Sequence, residues 1–203
     1  MTHSKAQIVA TIGPASSDPI VLEDMVKHQL DVVRFNFSWG EIPERVKQTE
    51  LIRNLSDKYK RRIPIIVDLP GPRVQTEGEH TYNHESSSAI TDEDRKFIKF
   101  AVEEKVDYLA VSFVSSPSDI ERCRAVIREF SGTQKVIAKI ERKEALNNLE
   151  GIIKSADAIM VARGDLGKAV PIEKIPFIQD AIVKMSKSFG KPVIVATEML
   201  MSM

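Results

Sequence analysis

Short apolar runs rich in branched residues alternate along this chain with longer stretches whose apolar residues recur at helical spacing. That alternation limits the fold more than any other feature. Residues 6–12, 32–37, 63–68, 108–114, 136–140, 158–162 and 193–196 read as strands. Residues 19–28, 41–59, 92–104 and 117–130, a stretch up to 154, and 175–189 read as helices between them. The helical faces are explicit: Ile42, Val46, Ile52, Leu55 and Tyr59 on one, Ile175, Ile178, Ile182, Met185 and Phe189 on another. Strict alternation predicts an α/β fold with parallel strands. Residues 76–88, T-E-G-E-H-T-Y-N-H-E-S-S-S, are polar and aperiodic and read as a surface loop or linker. An open doubly wound sheet and a (β/α)8 barrel both fit. No G-x-G-x-x-G follows a strand, which disfavours the nucleotide-binding open sheet. The barrel needs eight strands, and only seven are identifiable.

Composition excludes several classes of function. The 29 basic and 29 acidic residues cancel, so neither a nucleic-acid nor an acidic-membrane partner is expected. The single cysteine, Cys123, falls on the apolar face of a helix with Ile120, Val126, Ile127 and Phe130. A buried small hydrophobe suits it better than a nucleophile, and one thiol with no possible internal disulfide fits a reducing, cytoplasmic location. No apolar run approaches the roughly 20 residues that span a bilayer. The start, M-T-H-S-K-A-Q, runs straight into a strand without a signal-peptide pattern.

The chemistry gathers where strands end, the place ligands occupy in parallel α/β folds. The apolar run at 158–162 stops abruptly at Arg163-Gly164-Asp165-Leu166-Gly167, where Arg163-Gly164-Asp165 reads as a turn. Residues two apart on a strand share a face, so Arg34, Asn36 and Ser38 align, as do Lys139 and Glu141. Asp68 ends the third strand and Thr197 the seventh, while Thr11 and Ser112 add hydroxyls more weakly. Singly, each reads equally well as a solvated strand end or a helix cap. A lysine and a glutamate pointing together into a buried interior need partners, which favours a site. Glu141 and Asp165 are hard oxygen ligands suited to Mg²⁺ or Mn²⁺. Arg34 offers a planar fork for phosphate, and Lys139 a compact cation beside a metal. Asn36, Ser38 and Asp68 supply oxygens for a monovalent cation such as K⁺, and the amides after Arg163 could receive a carboxylate. A small phosphorylated or enolisable acid is the substrate this set describes.

Seven segments carry a resemblance: A-T-I-G-P-A-S-S (10–17), V-R-F-N-F-S-W-G (33–40), D-L-P-G-P (68–72), S-F-V (112–114), K-I-E (139–141), M-V-A-R-G-D-L-G (160–167) and P-V-I-V-A-T-E-M-L-M-S-M (192–203). In this order they resemble the pyruvate kinase family over nearly the whole chain. The resemblance implies a TIM-type (β/α)8 barrel over residues 1–203, with seven strands present and the eighth missing from this chain. It implies a transferase acting on phosphoenolpyruvate and ADP to give pyruvate and ATP, with Mg²⁺ and K⁺. By that analogy Lys139 stabilises the transferring phosphoryl group, Arg34 contacts phosphate, and Glu141 with Asp165 holds Mg²⁺. Asn36, Ser38, Asp68 and the Leu69 carbonyl hold K⁺, Thr197 sits near the substrate methylene, and Gly164 and Asp165 offer amides to its carboxylate.

The departures from the family pattern are specific. A short loop, residues 76–90, stands where family members insert a lid domain, and the carboxyl-terminal domain is absent. D-T-K-G-P-E-I-R appears as D-L-P-G-P-R-V-Q (68–75), which puts Pro70 at the lysine and Gln75 at the phosphate-binding arginine; Arg73 lies two positions early. Trp39, Ser115 and Glu198 replace the family's histidine, arginine and glutamine. These losses fall on the nucleotide side. Two alternatives therefore stand beside the kinase: a metal-dependent pyruvate-enolate lyase or oxaloacetate decarboxylase, and a non-catalytic pyruvate kinase-derived protein or fragment. An open barrel edge further predicts a homo-oligomer or another association that covers it, with the apolar end, 199–203, buried against something.

Overall fold

In the computed structural model of the chain, residues 6–76, 79–82 and 89–197 are described. Helix starts follow from side chains. Asp18 accepts the Ile20 amide at 2.8 Å and Pro19 opens α1 (Pro19–Lys27). A Thr91/Asp94 capping box starts α3 (Asp92–Glu103), and a Ser116/Asp119 box with Pro117 starts α4 (Pro117–Glu129). The remaining helices are α2 (Ile42–Lys58), α5 (Lys143–Asn147), α6 (Leu149–Ser155), α7 (Arg163–Ala169) and α8 (Ile175–Ser188).

Seven parallel strands form one sheet in the order β1 (Ile8–Thr11), β2 (Leu30–Asn36), β3 (Ile65–Asp68), β6 (Tyr108–Val111), β7 (Lys135–Ile140), β8 (Ala158–Ala162) and β9 (Val193–Ala196). The sheet wraps into a nearly closed barrel. Among the described residues, β1 and β9 each pair on one side only, which leaves a seam where an eighth strand would lie. The burial records the seam: β8 is buried throughout, whereas β9 is only half-buried along its length.

Side-chain alternation divides the core in two. Val33, Phe35, Ile65, Val67, Leu109, Val136, Ala138, Ile159 and Val161 face outward under the helices, where they meet Leu22, Ile52, Ile98, Ile120, Cys123 and Ile182. Val32, Ile66, Ala110, Ile137, Ala158 and Met160 fill the barrel axis. One step further along the same inward face come Arg34, Asp68, Ser112 and Lys139. The interior is thus apolar at its base and charged at its carboxyl-end mouth.

Two sequence readings need correction. The supposed aperiodic loop contains a strand: β4 (Arg73–Thr76) pairs antiparallel with β5 (Glu79–Tyr82) as a separate hairpin, so residues 76–90 are not loop throughout. Thr81 and Tyr82 favour extended backbone, but so short a strand without apolar alternation gives no period to read. The Arg163-Gly164-Asp165 segment is not a turn; it is the first turn of α7, which begins directly after β8. The apolar end at 199–203, with Glu198, lies outside the described residues.

Candidate active site

A buried network of two cations and two carboxylates occupies the barrel mouth. Lys139 projects from β7 and is 6% exposed. Its Nζ lies 3.0 Å from Asp68 Oδ1 and 2.8 Å from Glu141 Oε1, and donates to Ser112 Oγ at 2.7 Å. Lysine has three N–H donors and no acceptor, so all three are used and the Ser112 hydroxyl must donate elsewhere. It does so to the Leu69 carbonyl, at 2.7 Å. Arg34, on β2, directs Nε and Nη2 to Asp68 Oδ2, both at 2.7 Å, and Nη1 to Thr11 Oγ1 at 2.7 Å. Two of its five N–H donors stay uncommitted.

Charge balance explains why such groups tolerate burial. Desolvation pushes Lys139 toward its neutral form, but Asp68 and Glu141 outweigh it and raise its pKa above the ordinary lysine value. Desolvation likewise pushes Asp68 upward, while Lys139 and Arg34 overcome it and hold the carboxyl below its usual value. Lys139 is therefore a fixed cation at neutral pH. It can stabilise developing negative charge and cannot serve as a base.

Glu141, 2% exposed, receives a second contact: the Phe113 amide donates to Oε2 at 2.7 Å. Phe113 adopts φ +57°, a left-handed conformation that a bulky residue reaches only under constraint, and this turn points its N–H at Glu141. Asp165 sits on the first turn of α7, one strand over from Glu141, half-exposed, with Lys168 Nζ 4.0 Å away. Among the described residues no group of three or more His, Cys, Asp or Glu side chains forms a metal cage. Thr197, also left-handed at φ +57°, accepts the Gly164 amide on Oγ1 at 3.0 Å. Arg163 Nη2 ties down the Thr197 carbonyl at 2.6 Å. The structure thus joins Thr197 to Gly164 directly, and the amide expected to receive a carboxylate already has a hydroxyl partner. Asn36 Oδ1 accepts the Ser38 amide at 3.0 Å, and Ser38 Oγ is buried with no hydrogen-bond partner.

Two positioning residues escaped the sequence reading. Arg45, 4% exposed, donates to the Ile12 carbonyl at 3.3 Å and the Trp39 carbonyl at 3.0 Å, which fixes the loops after β1 and β2. Its place on the Ile42–Thr49–Ile52 stripe of α2 was a readable signal. Gly40 (φ +86°) makes room for it, because a Cβ there would lie 2.8 Å from the guanidinium. Asp94 was readable as a helix cap, but its second contact, to Gly71, was not. Arg73 Nε folds back onto the Pro70 carbonyl at 2.9 Å, with its guanidinium 6.0 Å from the Phe113 ring.

The family model "Pyruvate kinase, barrel domain" matches residues 3–88 and 82–203. The chain belongs to the pyruvate kinase family. The pyruvate kinase of Thermococcus litoralis is 31% identical over 279 residues, which takes in 98% of this chain and 59% of the relative. That of Thermotoga maritima is 32% identical over 277 residues (97% and 59%), and that of Thermoplasma acidophilum 30% identical over 269 (98% and 49%). The chain therefore spans 59% or less of the length of these pyruvate kinases. Each alignment is longer than the 203 residues of this chain, so each relative carries residues absent here. The family match comes as two stretches that overlap at residues 82–88, at the end of the β4–β5 hairpin.

Proposed function

We propose that the barrel mouth binds phosphoenolpyruvate and catalyses transfer of its phosphoryl group to ADP, giving pyruvate and ATP. The observation that carries this reading is the buried Lys139 ammonium, held cationic between Asp68 and Glu141 at the end of a strand. A cation preorganised in a dry site stabilises charge on a transferring group without reorganising. Arg34 keeps two free N–H donors for phosphate oxygens. The Thr197 hydroxyl faces the substrate methylene, and a substrate carboxylate displaces it from the Gly164 amide.

The donor sets fit the ions of the resemblance. Two carboxylates, Glu141 and Asp165, without a third suit Mg²⁺ or Mn²⁺, which retain water and substrate oxygens. The unpartnered Ser38 Oγ, with Asn36, Asp68 and the Leu69 carbonyl, suits K⁺. When bound, the divalent ion neutralises phosphate charge and the monovalent ion adds positive field. Among the described residues no helix is long and apolar enough to cross a membrane. We place the protein in the cytoplasm, where Cys123 stays reduced. A second copy covers the β1–β9 seam.

The test is a coupled assay with phosphoenolpyruvate, ADP, Mg²⁺ and K⁺. Turnover should fall at least about 100-fold in Lys139→Ala, the scale of removing one preorganised charge-stabilising donor; equal turnover overturns the reading. The hairpin and residues 83–90 stand in for the relatives' longer insertion, and Pro70 and Gln75 remove two cationic side chains from the nucleotide side. That favours one second reading, enolate chemistry without nucleotide. Its mark is Mg²⁺-dependent exchange of pyruvate methyl protons, or oxaloacetate decarboxylation, in the absence of ADP.

A further inference from the structure

We infer that Asp94, a carboxylate outside the catalytic network, is the positioning residue that clamps both legs of the excursion between β3 and α3 and so sets the loop that follows Asp68 and carries Leu69. The chain leaves the barrel rim at Gly71 and returns at Thr91. Asp94 meets both. It is completely buried. Its Oδ2 accepts the Thr91 amide and the Thr91 hydroxyl, each at 2.8 Å, which is the capping-box half of its role. Helix capping needs only that oxygen. The other, Oδ1, reaches back 23 residues and accepts the Gly71 amide at 3.0 Å.

Gly71 is where this contact acts on the site. At φ +68° it lies so close to the Ser112–Phe113 turn that a Cβ would stand 3.1 Å from both the Phe113 ring and the Ser112 side chain. That turn supplies the Ser112 hydroxyl between Lys139 and Leu69 and the Phe113 amide on Glu141. A fixed Gly71 therefore holds the turn in register against the rim. The clamp uses uncharged donors only; desolvation raises the Asp94 pKa, which the hydrogen bonds from Thr91 and Gly71 offset in part. The inference concerns the geometry of the rim and stands apart from the identity of the substrate.

Two variants separate the clamp from the cap. Asp94→Asn keeps one acceptor and turns the other oxygen into a donor, so it can serve one leg but not both. Thr91→Ala breaks the capping hydroxyl and leaves Oδ1 on Gly71. Amide hydrogen exchange on the whole chain should show Gly71 and Phe113 exchanging at least tenfold faster in Asp94→Asn. In Thr91→Ala both should stay within twofold of the unaltered protein. Protection retained at Gly71 and Phe113 in Asp94→Asn overturns the inference, and so does equal deprotection in Thr91→Ala. In the phosphoenolpyruvate assay, kcat should fall tenfold in Asp94→Asn with KM within threefold; exchange changes with unaltered kcat also overturn it. If the unaltered chain shows no turnover, the function proposed above fails and the exchange comparison alone decides the clamp.

Discussion

Replacing Lys139 with methionine keeps an unbranched side chain of similar length and deletes the ammonium, so the cost measures the buried charge network. Asp68 retains Arg34 at 2.7 Å. Glu141 loses its cation, previously 2.8 Å away, and keeps only the Phe113 amide while 2% exposed. A buried pair broken on one side leaves an uncompensated charge and costs about 3–5 kcal/mol. In a domain of this size each kcal/mol moves the midpoint by about 2–4 °C, so Tm should drop by roughly 6–20 °C. Urea unfolding followed by circular dichroism at pH 7, with thermal melts alongside, gives both quantities. Adding Glu141→Gln neutralises the stranded carboxylate and should restore at least about 1 kcal/mol. A single-variant loss below about 1 kcal/mol, or no recovery in the double variant, would refute the view that these charges are mutually compensating.

The pH dependence of Asp68 has a definite sign. Its folded pKa lies below the ordinary 3.8, so its contribution is complete above that pH and is lost as pH falls through the folded value. The stability gap between the unaltered chain and Asp68→Asn should shrink below about pH 4; a gap that widens in acid contradicts the assignment. Cys123 is buried and its thiol is pushed up to about 12, first by desolvation and then by Asp94. It should ignore a disulfide reagent at pH 8 and titrate fully in denaturant, and rapid native labelling would place it elsewhere. The edges of β1 and β9, which have no partner strand among the described residues, together with exposed Ile8 and Phe177, predict a concentration-dependent mass above one chain by light scattering. Ile8→Lys with Phe177→Ser should lower that mass, whereas a single-chain mass at every concentration counts against the association.

Much of the barrel was legible because its periods are local. Seven apolar runs, their flanking helices and the inward parity of Arg34, Asn36, Lys139 and Glu141 follow from residue spacing alone. The β4–β5 hairpin was not legible, since four-residue strands in polar sequence carry no period. Nor was α7 readable as a helix, because Gly164 and Gly167 are poor helix formers and the segment looked like a turn.

The sequence by itself determined, through side-chain parity along the strands, that Arg34, Asp68, Ser112 and Lys139 face the interior of the barrel. Tertiary structure alone decided who touches whom. Lys139 meets Asp68 across 71 residues, Arg34 meets Thr11 across 23, and two of the left-handed residues, Phe113 and Thr197, turn an amide and a hydroxyl toward groups far away in the chain. Spacing along a strand fixes the direction of a side chain. Its partner is fixed by strand register, which sets Arg34 beside Thr11 on the adjacent strand, and by the curvature of the nearly closed sheet, which brings Lys139 on β7 to Asp68 on β3.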